Sequence, residues 1–388
     1  MAATNLRQGI LIMANRRFWP QGREYVWGIL LLGIIGATWY CSFQYCQWAL
    51  EDSVPTVTAA NNPQFNLEER SIPVDEIFHG GPPKDGIPSL VNPGFVAAEA
   101  ADFMRPDDQV IGVDLGGEAR AYPIRILQWH EIVNDQVGDD EFAVVYCPLC
   151  DSSSVFDRRV DGEVLEFGVS GLLYRSNVLM YDRQETWAEE SLWSQMMGEA
   201  VAGPKVGTRL ANLPFEVVTW AAWQEAHGDA KVLDIETGYD RDYSRLVYAD
   251  YFAEPGVRMP IGEVDERLEL KEWVLGVMTE DSARVYPIER IPRGVRIEDS
   301  FEGHLVGIAR DEEGQLSVDL PDELSRMYSF WFSWRQFHSE TDVYHCEQLA
   351  DEPLSFAQAQ SAVEDAAYVS DTQSNCLLSP SSSEVEGE

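Results

Sequence analysis

The longest uninterrupted apolar pattern lies near the N-terminus, where residues 26–48 form an uncharged run. About 20 such residues cross the hydrocarbon core of a bilayer. Tryptophan and tyrosine cluster towards both ends of the run, as they do at membrane interfaces. Arginines precede the run and Glu51 and Asp52 follow it, so the positive-inside rule predicts a cytoplasmic segment 1–25. We predict a retained signal-anchor helix rather than a cleaved signal peptide, because no small-residue cleavage pattern follows.

After a polar linker, residues 49–71, the pattern of apolar positions changes to short runs separated by turn residues, which is typical of strands. The run EFAVVY at 141–146 predicts a buried strand, and Asp161-Gly162 predicts a hairpin turn. Residues 126–135 have helical spacing. The expected fold class is α+β: an N-terminal transmembrane helix, then a β-rich soluble domain dominated by antiparallel sheet.

Two motifs occur twice in the chain, in the same order. The copies of the longer motif span 110–126 and 274–291, and the copies of Trp-x-x-Trp-x-x-x-His span 220–227 and 331–338. Repetition in order predicts an internally repeated domain with two related lobes, residues 72–238 and 239–349, of which the first carries an insertion.

Side chains that recur in both copies of a motif favour a structural role over a catalytic one. We expect each Arg-x-Tyr pair to bond acidic residues across the sheet, and each histidine to pack between the lobes. These residues are Arg120 with Tyr122, Arg284 with Tyr286, and His227 and His338.

The charge balance excludes one class of partner. Acidic residues number 66 against 28 basic ones, a formal charge of −38. So strong a negative field disfavours binding to nucleic acid. The segment 350–388 is acidic and serine-rich, and we predict that this tail is largely disordered.

The clearest candidate chemistry is Cys147-Pro-Leu-Cys150, which follows the predicted buried strand. In a redox interpretation one cysteine attacks a partner disulfide and the other resolves the mixed disulfide. An extracytoplasmic compartment favours such chemistry. The local setting does not, since no helix follows the pair and Asp151 opposes thiolate formation.

The same two cysteines also resemble one half of a metal site, in which a tight turn directs two sulfurs at one ion. His130 is the best further ligand, with Glu131 and Asp135 orienting its imidazole. The thioether of Met180 would shift the preference towards copper, so zinc, copper and iron remain open. A third interpretation is a buried or crosslinked pair without chemistry.

Five motifs in order identify a family. GGPPKDGIPSLVNPGF, ARAYPIRILQWHEIVND, VVYCPLC, SGLLYRSNVLMYDR and SLWSQ together resemble a bacterial and archaeal family catalogued as domain of unknown function 3179. The resemblance covers roughly residues 72–349 and names no reaction. It implies an exported or membrane-anchored protein, and it points to redox chemistry because some members are described as selenoproteins. Asp151 departs from the family, whose members usually have glycine there.

The function expected from the sequence is that of a single-pass membrane protein whose main domain is periplasmic or extracellular. Cys147 and Cys150 would form a redox or metal site at the membrane surface. The alternative is a non-enzymatic accessory or assembly subunit of a larger membrane complex, so whether the protein is an enzyme stays open. A hydrolase finds little support: Ser194, in a run that could line a pocket, lacks a nucleophile-elbow pattern.

Overall fold

The computed structural model describes residues 64–345 and the backbone of 377–380. The cytoplasmic segment, the predicted span 26–48 and most of the predicted linker and tail lie outside these residues. No helix within the described part of the chain is long and apolar enough to cross a membrane.

The described chain is β-rich with few helices, as its short apolar runs between turn residues predict. The helices are α1 (Ile124–His130), α2 (Trp220–Ala226), α3 (Ala249–Ala253) and α4 (Trp331–Phe337), with single 3-10 turns at Val74–Glu76, Ala98–Ala100 and Ile288–Arg290. The strands are β1 (Ile77–His79), β2 (Leu90–Val91), β3 (Phe95–Ala97), β4 (Gln109–Leu115), β5 (Glu118–Pro123), β6 (Ile132–Val137), β7 (Asp140–Cys147), β8 (Ser152–Asp157), β9 (Arg159–Val160), β10 (Glu163–Val164), β11 (Phe167–Tyr174), β12 (Asn177–Asp182), β13 (Leu192–Ser194), β14 (Glu199–Ala202), β15 (Glu216–Thr219), β16 (Lys231–Leu233), β17 (Trp273–Met278), β18 (Ala283–Pro287), β19 (Val295–Phe301), β20 (His304–Arg310), β21 (Leu316–Asp319), β22 (Ser325–Phe330), β23 (Asp342–Val343) and β24 (Leu377–Pro380).

Two sets of strands pair in the same order. The hairpin β4–β5 carries β15 antiparallel to β4 and β16 parallel to β5, and α2 joins β15 to β16. The hairpin β17–β18 likewise carries β22 antiparallel and β23 parallel, and α4 joins those two strands. Each set also contains a three-stranded antiparallel meander, β6–β7–β8 in the first set and β19–β20–β21 in the second.

The meander of each set lies beside the hairpin of the other. Strand β8 pairs with β22, which joins the two sets in one eight-stranded sheet of order β2-β6-β7-β8-β22-β17-β18-β23. On the opposite side β21 contacts β15, so the sheets β15-β4-β5-β16-β3 and β21-β20-β19-β24 also meet. One hydrophobic cluster with members from both sets fills the space between these layers.

Strands β9 to β14 have no counterpart in the second set. They form a short hairpin and most of a five-stranded sheet, β1-β11-β12-β13-β14. The hairpin turns at Asp161 and Gly162, both with positive φ, as the sequence predicts. The first set therefore contains an insertion, which packs against the meander that holds Cys147.

The helix predicted over 126–135 is wrong in its second half. Helix α1 ends at His130, and Ile132 already belongs to β6. The change occurs at Glu131, whose φ of 57° is incompatible with a right-handed helix. Ile132 and Val133, which fit helical spacing in the sequence, instead lie on opposite faces of β6 and enter different hydrophobic clusters.

Each repeated Arg-x-Tyr pair holds one buried aspartate. Arg120 Nη1 and Tyr122 OH donate to Asp135 Oδ2 at 2.6 and 2.5 Å. Arg284 Nη1 and Tyr286 OH donate to the equivalent aspartate, Asp299, at 2.7 Å each. The predicted pairing with acidic residues is confirmed. It ties each hairpin to its own meander, because Asp135 lies on β6 and Asp299 on β19.

The tryptophan–histidine motifs pack on glycines of the paired hairpins. The Trp223 and His227 rings lie 4.0 Å apart, centroid to centroid, and a Cβ on Gly112 would overlap that indole. The Trp334 and His338 rings are also 4.0 Å apart, and Gly276 makes room for Trp334. The structural role predicted for these histidines is right, but each packs within its own strand set and not between the two.

Gly112→Ala and Gly276→Ala are expected to destabilise the protein by about 1–3 kcal/mol each, since an added methyl group must displace a fully packed indole. The measurement is urea unfolding of the full-length chain. Gly228→Ala is the matched control, because a Cβ there meets nothing within 4 Å. Equal stability of all three variants would contradict the packing described.

Candidate functional site

The Cys-Pro-Leu-Cys segment forms a tight turn between two strands of the eight-stranded sheet. Cys147 ends β7, the Cys150 amide donates to the Cys147 carbonyl at 3.2 Å, and β8 begins at Ser152. The strand, the turn and the strand that follows are those the sequence predicts. Asp151 has a φ of 44°. This left-handed conformation favours glycine, the residue that the family resemblance implies at this position, and aspartate also adopts it.

Both cysteines are free thiols buried in the hydrophobic cluster beneath the inserted strands, with exposed fractions of 1% and 0%. Cys150 Sγ donates to the Ser176 carbonyl at 3.1 Å. Cys147 Sγ contacts the Cys150 thiol and accepts from the amides of Val178 and Cys150. Burial, reinforced by the neighbouring thiol, raises the pKa of Cys147 well above its usual range. The closed structure therefore holds Cys147 as a neutral thiol.

A short helix in the connection between the two strand sets covers this turn. Tyr251, on α3, donates its hydroxyl proton to the Leu149 carbonyl at 2.8 Å. The Lys271 ammonium lies 3.5 Å from the centre of the Tyr251 ring and donates to the Tyr251 carbonyl. Phe252 packs edge-on against Phe330, 5.7 Å between centroids. Access to either sulfur from this side requires α3 to move.

Glu131 is a buried acid beside the thiols. Burial is the main cause that raises the pKa of Glu131 well above the usual range, and a negative charge on Cys147 would raise it further. The sequence predicts that Glu131 orients His130. In the structure the Glu131 carboxyl group instead lies close enough to Cys147 to interact with it electrostatically. The break in α1 at this residue causes the difference, because φ of 57° turns the chain out of the helix.

His130 is fully buried and engaged on both ring nitrogens. Nδ1 lies 2.7 Å from the Pro88 carbonyl and Nε2 lies 2.6 Å from the Tyr243 hydroxyl. Burial lowers its pKa, so it is a neutral ring held between two partners. Asp135, predicted to orient this imidazole, bonds Arg120 and Tyr122 instead. The structure does not bring His130 to the cysteines as a ligand.

Of the four candidate metal ligands, three lie in one buried cluster: Cys147, Cys150 and Met180. No group of three or more His, Cys, Asp and Glu side chains within residues 64–345 is placed to hold a metal ion. A tetrahedral zinc site of the predicted composition therefore does not fit the donor set in this conformation.

Gln195 is a structural residue that the sequence reasoning missed. Its Oε1 accepts from the Ser152 hydroxyl at 2.7 Å, and its Nε2 donates to the carbonyls of Val145 and Ser152. The run that holds Ser194 thus braces the two strands on either side of the cysteine turn. Ser194 itself accepts from the Met197 amide at 3.3 Å.

The opposite face of the same turn borders a cavity of about 670 Å³ between the two strand sets. Tyr146 and Asp151 lie in its wall, and the Tyr146 hydroxyl donates to Asp151 Oδ1 at 2.8 Å. Burial raises the pKa of Asp151 to about 6, although this hydrogen bond opposes the rise. The sequence signal was the period of β7: side chains alternate across a strand, so Tyr146 and Cys147 must face opposite sides.

The model of the family described as "Protein of unknown function (DUF3179)" matches residues 84–324. The chain belongs to the DUF3179 family. The matched range includes the cysteine turn, its bracing strands and both hairpins, so the resemblance read from the five motifs is confirmed. No curated protein and no solved structure matches this DUF3179 protein.

Asp151→Asn is expected to stabilise this DUF3179 protein more at pH 7.5 than at pH 4. The folded-state pKa of Asp151, about 6, exceeds the unfolded value of about 3.9. The folded state thus binds the extra proton, and stability falls as the pH rises from about 4 through about 6. Asparagine carries no charge and still accepts from Tyr146.

The measurement is the difference in Tm between variant and parent across that pH range. Asp107→Asn, at an exposed carboxylate on the rim of the same cavity, is the matched control. A Tm difference independent of pH would refute a half-buried Asp151 that titrates in this range.

Proposed function

We propose that this DUF3179 protein is a membrane-anchored extracytoplasmic protein in which Cys147 and Cys150 form a dithiol–disulfide couple. The anchor is residues 26–48, with the N-terminus in the cytoplasm and residues after the span outside. The observation that supports the redox assignment is the tight turn, closed by the Cys150 amide on the Cys147 carbonyl, that brings the two thiols close enough to interact. Two sulfurs in contact across a two-residue turn can join with little backbone movement.

The surroundings of Cys147 supply what thiol chemistry needs once α3 has moved. The amides of Val178 and Cys150 direct their N–H groups at Cys147 Sγ, which stabilises negative charge on that sulfur. Glu131 lies close enough to interact electrostatically with Cys147 and has a raised pKa. Its carboxyl group is therefore suited to exchange a proton with the thiol.

The reaction balances as a two-electron exchange. The Cys147 thiolate attacks one sulfur of a partner disulfide and releases the other sulfur as a thiol, which takes up a proton. The Cys150 thiolate then attacks the mixed disulfide at Cys147 and releases the second thiol. The chain loses two electrons and two protons and gains the Cys147–Cys150 bond, while the partner disulfide becomes two thiols.

The test uses the full-length chain in non-ionic detergent with its four other cysteines changed to serine, namely Cys41, Cys46, Cys346 and Cys376. Two thiols should disappear together on oxidation, return on reduction, and equilibrate with a series of glutathione buffers. Tyr251→Ala removes the bond to Leu149 and should speed the reaction of the thiols with an aromatic disulfide about tenfold or more.

Tyr239→Ala is the matched control for access, because Tyr239 belongs to the same connection but contacts the His130 ring instead. It should leave the rate unchanged. If the thiols stay reduced under excess oxidant in both the parent and Tyr251→Ala, the redox proposal is wrong. Elemental analysis of the same samples tests for a metal site. Stoichiometric metal in the parent that is lost in Cys147→Ser/Cys150→Ser would establish a metal centre.

One observation favours a second candidate, an accessory subunit of a membrane complex. Both sulfurs are fully buried, as expected for a structural pair. Large apolar side chains away from the turn are also exposed, among them Trp187 and Leu305 at 54% and 62%. Unreactive thiols in the experiment above would leave this candidate as the better one.

The predicted topology is tested with two single-cysteine reporters in a chain without native cysteines, Asn5→Cys and Ser381→Cys. A membrane-impermeant maleimide should label Ser381→Cys on intact spheroplasts and Asn5→Cys only after lysis. Both proteins should stay in the membrane pellet at alkaline pH. Labelling of both reporters before lysis, or release at alkaline pH, would contradict a retained signal anchor.

A further inference from the structure

The cavity on the far side of the cysteine turn has a mixed lining of apolar side chains and of polar and charged ones. Its walls come from both strand sets and from the connection between them, and three of the lining residues are aromatic: Tyr146, Phe252 and Trp273. Its volume of about 670 Å³ falls within the range of small-molecule sites. The thiols face the other side of β7, so a molecule bound in the cavity does not contact the proposed redox couple.

Asp151 differs from the other acidic groups that line this cavity. Asp108 pairs with Arg125, and Glu289 pairs with Arg310 at 2.9 Å. Asp107 and Arg105 lie exposed at the rim.

Asp151 bonds the Tyr146 hydroxyl and forms no ion pair with any cation in residues 64–345. Burial is accordingly the largest influence on its pKa, and no neighbouring charge offsets it. A carboxylate in this position is stabilised by any cation that enters the cavity.

Gln128 provides a second acceptor at the same place. It is 4% exposed and lines the cavity, and its Oε1 is buried without a hydrogen-bond partner. Its side chain also bonds Tyr146. Because the Tyr146 proton goes to Asp151, only the amide N–H of Gln128 can donate to the phenol oxygen, which leaves Oε1 free. Asp151 and Gln128 thus flank one hydroxyl and present two acceptors to the cavity.

We propose that this cavity binds a small organic ammonium ion with an aromatic or aliphatic body. Its N–H groups bond Asp151 and Gln128 Oε1, and its body lies among Tyr146, Phe252 and Trp273. Ammonium supplies the donor and the positive charge that these two acceptors lack, and aromatic rings favour a cation near their faces. A neutral or anionic molecule of the same shape has no positive charge to pair with the Asp151 carboxylate.

The test compares three ligands that share an indole body: tryptamine, its alcohol isostere tryptophol, and the anionic indole-3-propionate. Each is titrated into the full-length chain in non-ionic detergent by calorimetry at pH 8. Tryptamine should bind at one site with a dissociation constant below about 1 mM, and both isosteres should bind at least tenfold more weakly.

Two variants and a matched control assign the contacts. Asp151→Asn and Gln128→Met should each weaken tryptamine binding, the first by at least tenfold. Glu289→Gln should leave it within twofold, because Glu289 lines the same cavity but already has Arg310 as a partner.

The comparison of the three ligands uses the unmutated chain, so it does not depend on whether a variant folds. Equal affinity for tryptophol, an unchanged affinity in Asp151→Asn, or no binding of tryptamine would each overturn the proposal.

Discussion

The alternation of side chains at the end of β7 is the constraint on which both sites depend. This strand lies between two hydrophobic clusters, so its successive residues enter different surroundings. Tyr146 points into the cavity between the strand sets, while Cys147 points into the cluster beneath the inserted strands. One turn, Cys147 to Asp151, thereby presents sulfur on one face and a carboxylate on the other.

The duplicated strand sets supply the frame that holds this turn in place. In each set a buried aspartate, bonded by an arginine and a tyrosine, fixes the hairpin to the meander. These buried charges are paired and hydrogen-bonded, which is the condition under which burial is tolerated. The second set has the same triad but no counterpart of the cysteine turn, so the frame does not require the turn. The proposed redox couple belongs to the first set, beneath its insertion.

The connection between the sets links the two faces of the turn. Phe252 lines the cavity and also packs on Phe330 in the cluster that holds the thiols. Its neighbour Tyr251 covers the turn and donates a hydrogen bond to the Leu149 carbonyl. A movement of this short helix would change access to the sulfurs and the shape of the cavity together, because both are bounded by the same few side chains.

The sequence by itself determined the features that local chemistry controls. A continuous apolar run marked β7, Asp161-Gly162 marked a hairpin, and the repeated motifs marked residues that recur at equivalent positions in the two strand sets. The Arg-x-Tyr pairs found acidic partners as expected, since their short spacing on a strand places both side chains on one face.

Only the tertiary structure decided which residues meet. His130 bonds Tyr243, and Tyr251 reaches Leu149, across more than 100 residues of chain in each case. No local pattern specifies such contacts, because they depend on where the connection between the sets folds back. Glu131 also could not be placed from the sequence. The helical spacing of apolar residues continues past it, but its backbone conformation ends the helix and places its carboxyl group near Cys147. Packing of distant segments outweighed the local preference at that point.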